Sequence, residues 1–335
     1  MMPKWQKPFV LILPGGEDWT RHFHMGAVMA LNISAKFHES GTFGINGNNP
    51  AQGIYDDGYV RTDQTGDAGG FTGFWGYQSA SQFNAAAQTL TFHSANSFTT
   101  SGQNDRSGDP SFGLDLVYGD DFAYFTPAHA RIGWELGFGL LPINITDRSQ
   151  LIGTVNQSTY VYDASGLYPR VPPAPYQGGS SGLGPLLPDQ LAEPVSTSQL
   201  PHGVITGKRS LDMTLFTLRL GPSFFWEITP NLGLSLSGGP VIGCVTGNYD
   251  YDETITINGL GTHNGGSFGA TAVMYGGYVN ATLKYHIMDN DRNAYLFLGA
   301  QYEPLSKTTF SSGGRSAELD LSNQVNISAG IGWPF

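Results

Sequence analysis

The sequence predicts an all-β chain: an antiparallel up-and-down transmembrane β-barrel of about ten strands, with eight to twelve compatible. Three observations predict it. Bulky apolar residues recur at every second position over long stretches, which places them on one face of a strand. The positions between them are Gly, Ser or charge, as suits the crowded interior of a small barrel rather than the solvent face of a soluble sandwich. The connections alternate between tight turns and long loops, as spanning barrels show. Composition agrees: only 13% of the 335 residues are charged, and there are 46 Gly and 20 Pro, against about 25% charged in ordinary soluble domains.

The alternation is clearest at the end of the chain. Leu319, Leu321, Asn323, Val325, Ile327, Ala329, Ile331, Trp333 and Phe335 alternate with Asp320, Ser322, Gln324, Asn326, Ser328, Gly330, Gly332 and Pro334. No helix carries a period of two. The same pattern runs through Met25–Phe37, Phe112–Tyr118, Ile132–Leu140, Phe216–Trp226, Leu232–Ile242 and Tyr275–Tyr285, with Leu296 and Leu298 continuing it. Strands are therefore expected near 84–98, 111–125, 129–145, 210–227, 231–246, 267–287, 293–307 and 317–335. A further strand at 23–38, with a weaker partner near 54–77, makes ten. Thr126-Pro127-Ala128, Thr229-Pro230-Asn231 and Asp289-Asn290-Asp291-Arg292 read as the tight turns. The long connections fall at 147–208, 247–266 and 309–316. Residues 21–335 thus form one barrel domain with long outer loops near 41–85 and 147–208. Pro172-Pro173-Ala174-Pro175 and Gly178-Gly179-Ser180-Ser181-Gly182 mark the second loop as irregular.

Several classes are excluded. No run of 18 apolar residues exists, so no transmembrane helix is expected. Sixteen basic against 27 acidic residues give a net charge of −11 without a basic cluster, which speaks against nucleic acid as a partner. Cys244 is the only cysteine, so no intrachain disulfide can form. No Cys/His metal set, phosphate-cradling Gly loop or dinucleotide fingerprint occurs, and no cofactor is expected. Residues 1–20 read as a degenerate or truncated export signal: Lys4 and Lys7 precede Phe9–Leu13, an apolar stretch shorter than a signal core, and Pro14-Gly15-Gly16 offers no evident cleavage site.

The last eight residues carry a family resemblance. Ser328, Gly330, Trp333 and Phe335 match the fixed positions of the C-terminal assembly signal of Gram-negative outer-membrane barrels: polar, Gly, apolar or aromatic, and a terminal aromatic. Pro334 departs from that pattern because it removes a ladder donor. The resemblance implies an outer-membrane location, insertion into outer-membrane lipid, and recognition by the barrel-assembly machinery. Tyr124, Trp226, Tyr285 and Trp333 fall near the short-turn ends of their strands, where an aromatic interface girdle belongs.

By the same alternation, Lys36, Asp115, Asp121, Arg131, Glu135, Arg219, Lys284, Glu303 and Asp320 face the lumen. Charges in a narrow barrel must be paired, so a salt-bridged plug is expected, with Arg131 and Glu135 reaching towards Arg219 or Asp115. The leading functional expectation is a non-enzymatic structural or surface-exposed barrel with a plugged lumen. The alternative is a narrow channel or porin for small solutes or ions, gated by 147–208. An outer-membrane hydrolase comes third, since His263 beside Asp250-Tyr251-Asp252-Glu253 lacks a nucleophile motif. The acidic pairs Asp56-Asp57 and Asp250–Glu253 have no calcium-loop spacing and read as solvated loops.

Overall fold

The computed structural model describes residues 10–11, 21–41, 48–62, 69–100, 104–125, 129–167, 169–181, 184–257, 260–287 and 294–334. Eight strands pair antiparallel in chain order and the last returns to the first. They are β1 (Arg21–Leu31), β2 (Ser111–Phe125), β3 (Ala130–Asp147), β4 (Pro194–Thr229), β5 (Leu232–Ile257), β6 (Leu260–His286), β7 (Tyr295–Tyr302) and β8 (Val325–Pro334). His22 of β1 pairs with Pro334 of β8, which closes the ring and puts the first and last ring strands side by side at the short-turn end. The two strands expected beyond these eight lie elsewhere. Thr89–Thr100 pairs with Leu151–Asp163 above the ring, and the 54–77 region forms short strands of a separate sheet. The tight turns at 126–128 and 289–292, and Phe335, lie outside or largely outside the described residues.

The ring changes character along its length. On β3 the outward residues run Ile132, Trp134, Leu136, Phe138 and Leu140, then turn to Asn144 and Thr146. Its inward residues run Gly133, Glu135, Gly137 and Gly139, then turn to Leu141, Ile143 and Ile145, all three buried. β4 repeats this in the opposite chain direction. Thr214 and Asp212 give way outside to Phe216, Leu218, Leu220, Phe224 and Trp226, while Leu211, Met213 and Leu215 give way inside to Thr217, Arg219 and Ser223. On β5, Leu232, Leu234, Leu236 and Ile242 face out below Thr246 and Asn248, and Ser235 and Ser237 face in below Val241, Val245 and Tyr249. On β3 and β4 both faces switch at the same height, and on β5 the inner face turns apolar earlier, at Val241 opposite Arg219.

Below the switch the ring carries apolar side chains outside and polar ones inside, and above it the arrangement is reversed. The outward apolar stretch of β4 from Phe216 to Ile228, at about 3.3 Å per residue and a tilt of about 40°, stands roughly 30 Å tall, comparable to the apolar band of spanning barrels. Leu220 lies within this stretch and is 52% exposed. Leu220→Arg is expected to lower refolding stability in liposomes by about 2–4 kcal/mol, whereas Thr214→Arg, above the switch, should cost under about 1 kcal/mol. Equal costs would place the belt wrongly.

The segments expected as long irregular loops are largely structured. Residues 147–208 contain Leu151–Asp163 and the first third of β4, which pair with each other from Leu151↔Ile205 to Tyr160↔Pro194. Residues 247–266 continue β5 and β6 as a ladder up to Ile257↔Leu260. A cap stands beyond them. Ile54–Tyr55, Gly58–Val60, Trp75–Tyr77 and Tyr176–Gln177 make a four-stranded sheet, and its core of Tyr55, Trp75, Tyr77, Phe92, Tyr160 and Tyr162 is buried. Ring geometry holds it: Tyr55 stacks on Phe92 at 5.1 Å, the Tyr55 and Tyr162 hydroxyls lie 2.7 Å apart, and Trp75 Nε1 donates to the Pro185 carbonyl at 2.7 Å. Such pairs add to area burial.

Candidate functional site

Among the described residues the charge pattern singles out the interior of the ring, and that interior is layered. At the short-turn mouth lies a cavity of about 330 Å³, walled by Arg131, Glu227, Asp121, Lys284, Tyr295 and Phe225 among others. Arg131 Nη2 donates to Glu227 Oε1 at 2.6 Å, and its Nη1 lies 3.8 Å from Asp121 Oδ2. Glu135, just above, meets His22 Nε2 at 3.3 Å, accepts from the Ser235 hydroxyl at 3.4 Å, and lies 4.0 Å from Lys284 Nζ without a hydrogen bond to it.

The second layer is Arg219. It donates to Asp115, to Gln301 Oε1 at 2.7 Å and to Glu303 Oε2 at 3.3 Å, and all four side chains are buried. Glycine makes the room: a Cβ on Gly137 of β3 would sit 2.6 Å from the Arg219 guanidinium. Both terminal nitrogens of this buried cation meet an acceptor, as burial of a charge demands. Above it the bore is filled by apolar residues, with Val28, Leu141, Met213, Leu215, Val245, Met274, Leu319 and Leu321 in one cluster.

The third polar layer sits above the apolar one, outside the belt. Arg209, fully buried, places Nε 2.7 Å from Glu253 Oε1 and 3.4 Å from Glu39 Oε1, and Nη1 3.0 Å from Asp147 Oδ2. Arg315 adds contacts to Glu253 at 3.3 Å and Glu39 at 3.7 Å, and Arg106 reaches Asp147 at 2.8 Å. Three cations thus meet three carboxylates. Burial pushes the Glu253 carboxyl up to about 9, and the hydrogen-bonded Glu39 beside it pushes the same way, against Arg209 and Arg315.

Of the residues expected in the lumen, Asp115, Asp121, Arg131, Glu135, Arg219, Lys284 and Glu303 line the interior. Two do not. Lys36 faces outward, half-exposed, 3.9 Å from Asp105. Asp320 also faces outward, with Lys307 Nζ at 2.6 Å and the Ser322 hydroxyl donating at 2.6 Å. Lys307 and Ser322 hold the Asp320 carboxyl, net of its burial, down to about 2. Both misplacements have one cause. Asn32 adopts a left-handed φ of 60°, and a turn breaks the chain between Asp320 and Val325. Each break reverses the phase, so Ala35, Phe37, Leu319 and Leu321 turn inward. Nor do Arg131 and Glu135 reach Arg219 or Asp115: they belong to the mouth.

Trp226, Tyr285 and Trp333 project outward and exposed near the short-turn end. Tyr124 lies at that end too, its ring 5.9 Å from the Arg131 guanidinium. Ser328 and Gly330 lie on β8, where Gly330 packs against the backbone of Gly26. Phe335 is outside the described residues.

The acidic segments are not simply solvated. Asp56 is buried and accepts from the Ala95 amide at 2.6 Å, and burial raises its pKa. Asp57 Oδ2 meets His93 Nδ1 at 2.7 Å, which raises the pKa of that imidazole. Glu253 joins the Arg209 layer, while Asp252 remains exposed, 3.4 Å from His263. Among the described residues no group of three or more His, Cys, Asp or Glu is placed to hold a metal. The residues that sequence reasoning missed are Glu39, Asp147, Arg209 and Arg315. The available signal was phase, since Arg209 stands in step with Leu211 and Met213.

No protein-family model matches the chain, and no curated protein does. Among solved structures it is similar to Ail, the attachment invasion locus protein of Yersinia pestis, solved with a heparin analogue (TM-score 0.22, 9% identity, 92% of this chain and 98% of that one). It is also similar to a Pseudomonas aeruginosa FadL homologue (TM-score 0.18, 10% identity, 94% and 90%) and to OmpT, an outer membrane protein of Vibrio cholerae (TM-score 0.14, 10% identity, 93% and 98%). Overlaps of this quality leave the architecture to rest on the closed ring and its two-faced walls.

Proposed function

We propose that this chain is an outer-membrane β-barrel of a Gram-negative bacterium that passes no solute and serves as a non-enzymatic, surface-exposed scaffold. The observation that carries this reading is the coincident switch of the two wall faces. A belt of Leu, Phe, Ile and Trp meets lipid around a polar lower lumen, and an apolar core fills the bore directly above. Two of the interior's layers are sealed, the Arg219 network by charge and the core by packing. The outer half then carries the aromatic cap away from the membrane. Outer-membrane lipid is the partner of the belt, the barrel-assembly machinery is the partner of the C-terminal signal, and the acidic charge disfavours nucleic acid. The Asp252–His263 pair is exposed on both sides and no nucleophile motif accompanies it in the sequence, so the hydrolase reading stays third.

Purified protein in a planar bilayer is expected to give no steady conductance. Arg131→Ala should leave it silent, because Arg131 lies at the mouth and below both sealing layers. A stable ohmic current from the unmodified chain would replace this reading with the narrow channel. Mobility that does not change on boiling in detergent, together with solubility without detergent, would remove the membrane assignment altogether.

A further inference from the structure

The cavity at the short-turn mouth contains unspent hydrogen-bonding groups of both kinds. Lys284 is buried, and its nearest ionic contact is Glu135 at 4.0 Å, beyond hydrogen-bond reach. Its Nζ otherwise lies over two rings, 5.4 Å from the centroid of Tyr295 and 5.5 Å from that of Phe225. The Tyr295 side chain is 97% buried (3% exposed), and its hydroxyl has no hydrogen-bond partner. Lys284 and Tyr295 both line the cavity, so an ammonium and an unpaired, covered phenol stand beside the same space. Asp121 lines that space too, is buried, and has Arg131 Nη1 at 3.8 Å as its nearest cation. Its oxygens keep their capacity to accept.

We propose that this cavity is a binding site for a small zwitterion of amino-acid size, entering from the short-turn side. Its anionic end meets Lys284 and Tyr295, and its cationic end meets Asp121. The charge pattern selects this class by elimination. A simple anion brings its charge against Asp121 and Glu227, and a simple cation brings its charge against Lys284 and Arg131. An apolar molecule strips water from Lys284 and Tyr295 and returns nothing, which is costly for buried polar groups. About 330 Å³ lies at the lower end of small-molecule sites, roughly 300–1,000 Å³. The Arg219 layer closes the inner end, so the site is a pocket and not a passage.

The test is calorimetric titration of the refolded barrel in detergent with L-alanine, its N-acetyl amide, acetate and methylammonium. Saturable binding of L-alanine alone is the expected result. Tyr295→Phe should weaken it about fivefold, the loss of one hydrogen bond, and Asp121→Asn at least about tenfold, the loss of a charged one. Both variants are near-isosteric, and retained heat-modifiable mobility establishes that they fold. A control variant outside the pocket, Thr246→Ser, should bind as the unmodified chain does. No heat at 50-fold the protein concentration and above, up to solubility, would mean that the cavity holds water only, and the proposal falls. Equal binding of acetate, or no loss in Asp121→Asn, would overturn the zwitterion assignment. None of these outcomes bears on conductance, so they stand apart from the sealed-barrel reading.

Discussion

Arg209→Met is expected to cost about 3–5 kcal/mol, the usual loss when one partner of a buried ion cluster is removed, with the damage confined to the outer half. Arg209 is fully buried on β4 and touches Glu253 on β5, Asp147 at the end of β3 and Glu39 on the continuation of β1. It also donates to the Ser149 carbonyl at 3.1 Å. Removing the guanidinium leaves carboxylates facing each other in a dry space, with only Arg315 and Arg106 at the margin. Arg209→Lys should rescue little, because an ammonium cannot present a planar fork to three acceptors. Hydrogen exchange would read the effect. Amides of 34–41, 151–163 and 204–211 should lose protection, while those of the belt, such as 216–226, keep theirs. Heat-modifiable mobility should survive, because the lipid-facing ring is held by its own ladder. Uniform loss across both halves would show that the two are one cooperative unit, and that the layered reading of the wall is wrong.

Much of the ring was legible because one signal suffices for it. Ser111–Phe125 falls where 111–125 was expected, and β3 to β6 begin or end within a few residues of the expected positions at their short turns. A strand that meets lipid must alternate, and a turn with Pro or Asn marks its end. The outer half was not legible, for a reason that lies in the alternation itself. A period of two identifies two faces and does not say which one is inside. Leu319 to Phe335 reads as one apolar stripe, yet Leu319 and Leu321 are buried in the core while Ile327 and Ile331 face out. Asn323, the one polar residue in that stripe, stands at the break. Asn32, between Leu31 and Ile33, does the same on the first strand. A residue tolerant of left-handed backbone inside an apolar series was the local sign of a phase change. For the Arg209 layer, phase put Arg209 inward in step with Leu211, but nothing local named its partners. Glu39, Asp147, Arg209, Glu253 and Arg315 lie on five segments, and only the closed ring brings them together.

The charge within that layer sets how the outer half responds to pH. Burial, and the hydrogen-bonded Glu39 beside it, hold the Glu253 carboxyl well above the ordinary glutamate range in the folded chain, whereas an unfolded glutamate titrates at about 4.3. Between those values the folded state holds a proton that the unfolded state has released. Stability is therefore fully present below the ordinary carboxylate range and falls as pH rises towards 9. The direction is opposite to that of a carboxylate in a simple salt bridge, which gains stability over its titration. The groups that face Glu253 are Glu39, Arg209 and Arg315, and the two arginines stay charged throughout. Urea midpoints of the outer half, followed by hydrogen exchange at 34–41 and 249–256, should fall between pH 6 and pH 9. Glu253→Gln keeps a neutral group of the same size and should flatten the slope, so that the variant overtakes the unmodified chain at the alkaline end. A slope that Glu253→Gln leaves intact would assign the proton to another group and would mean that three cations hold three ionised carboxylates in balance.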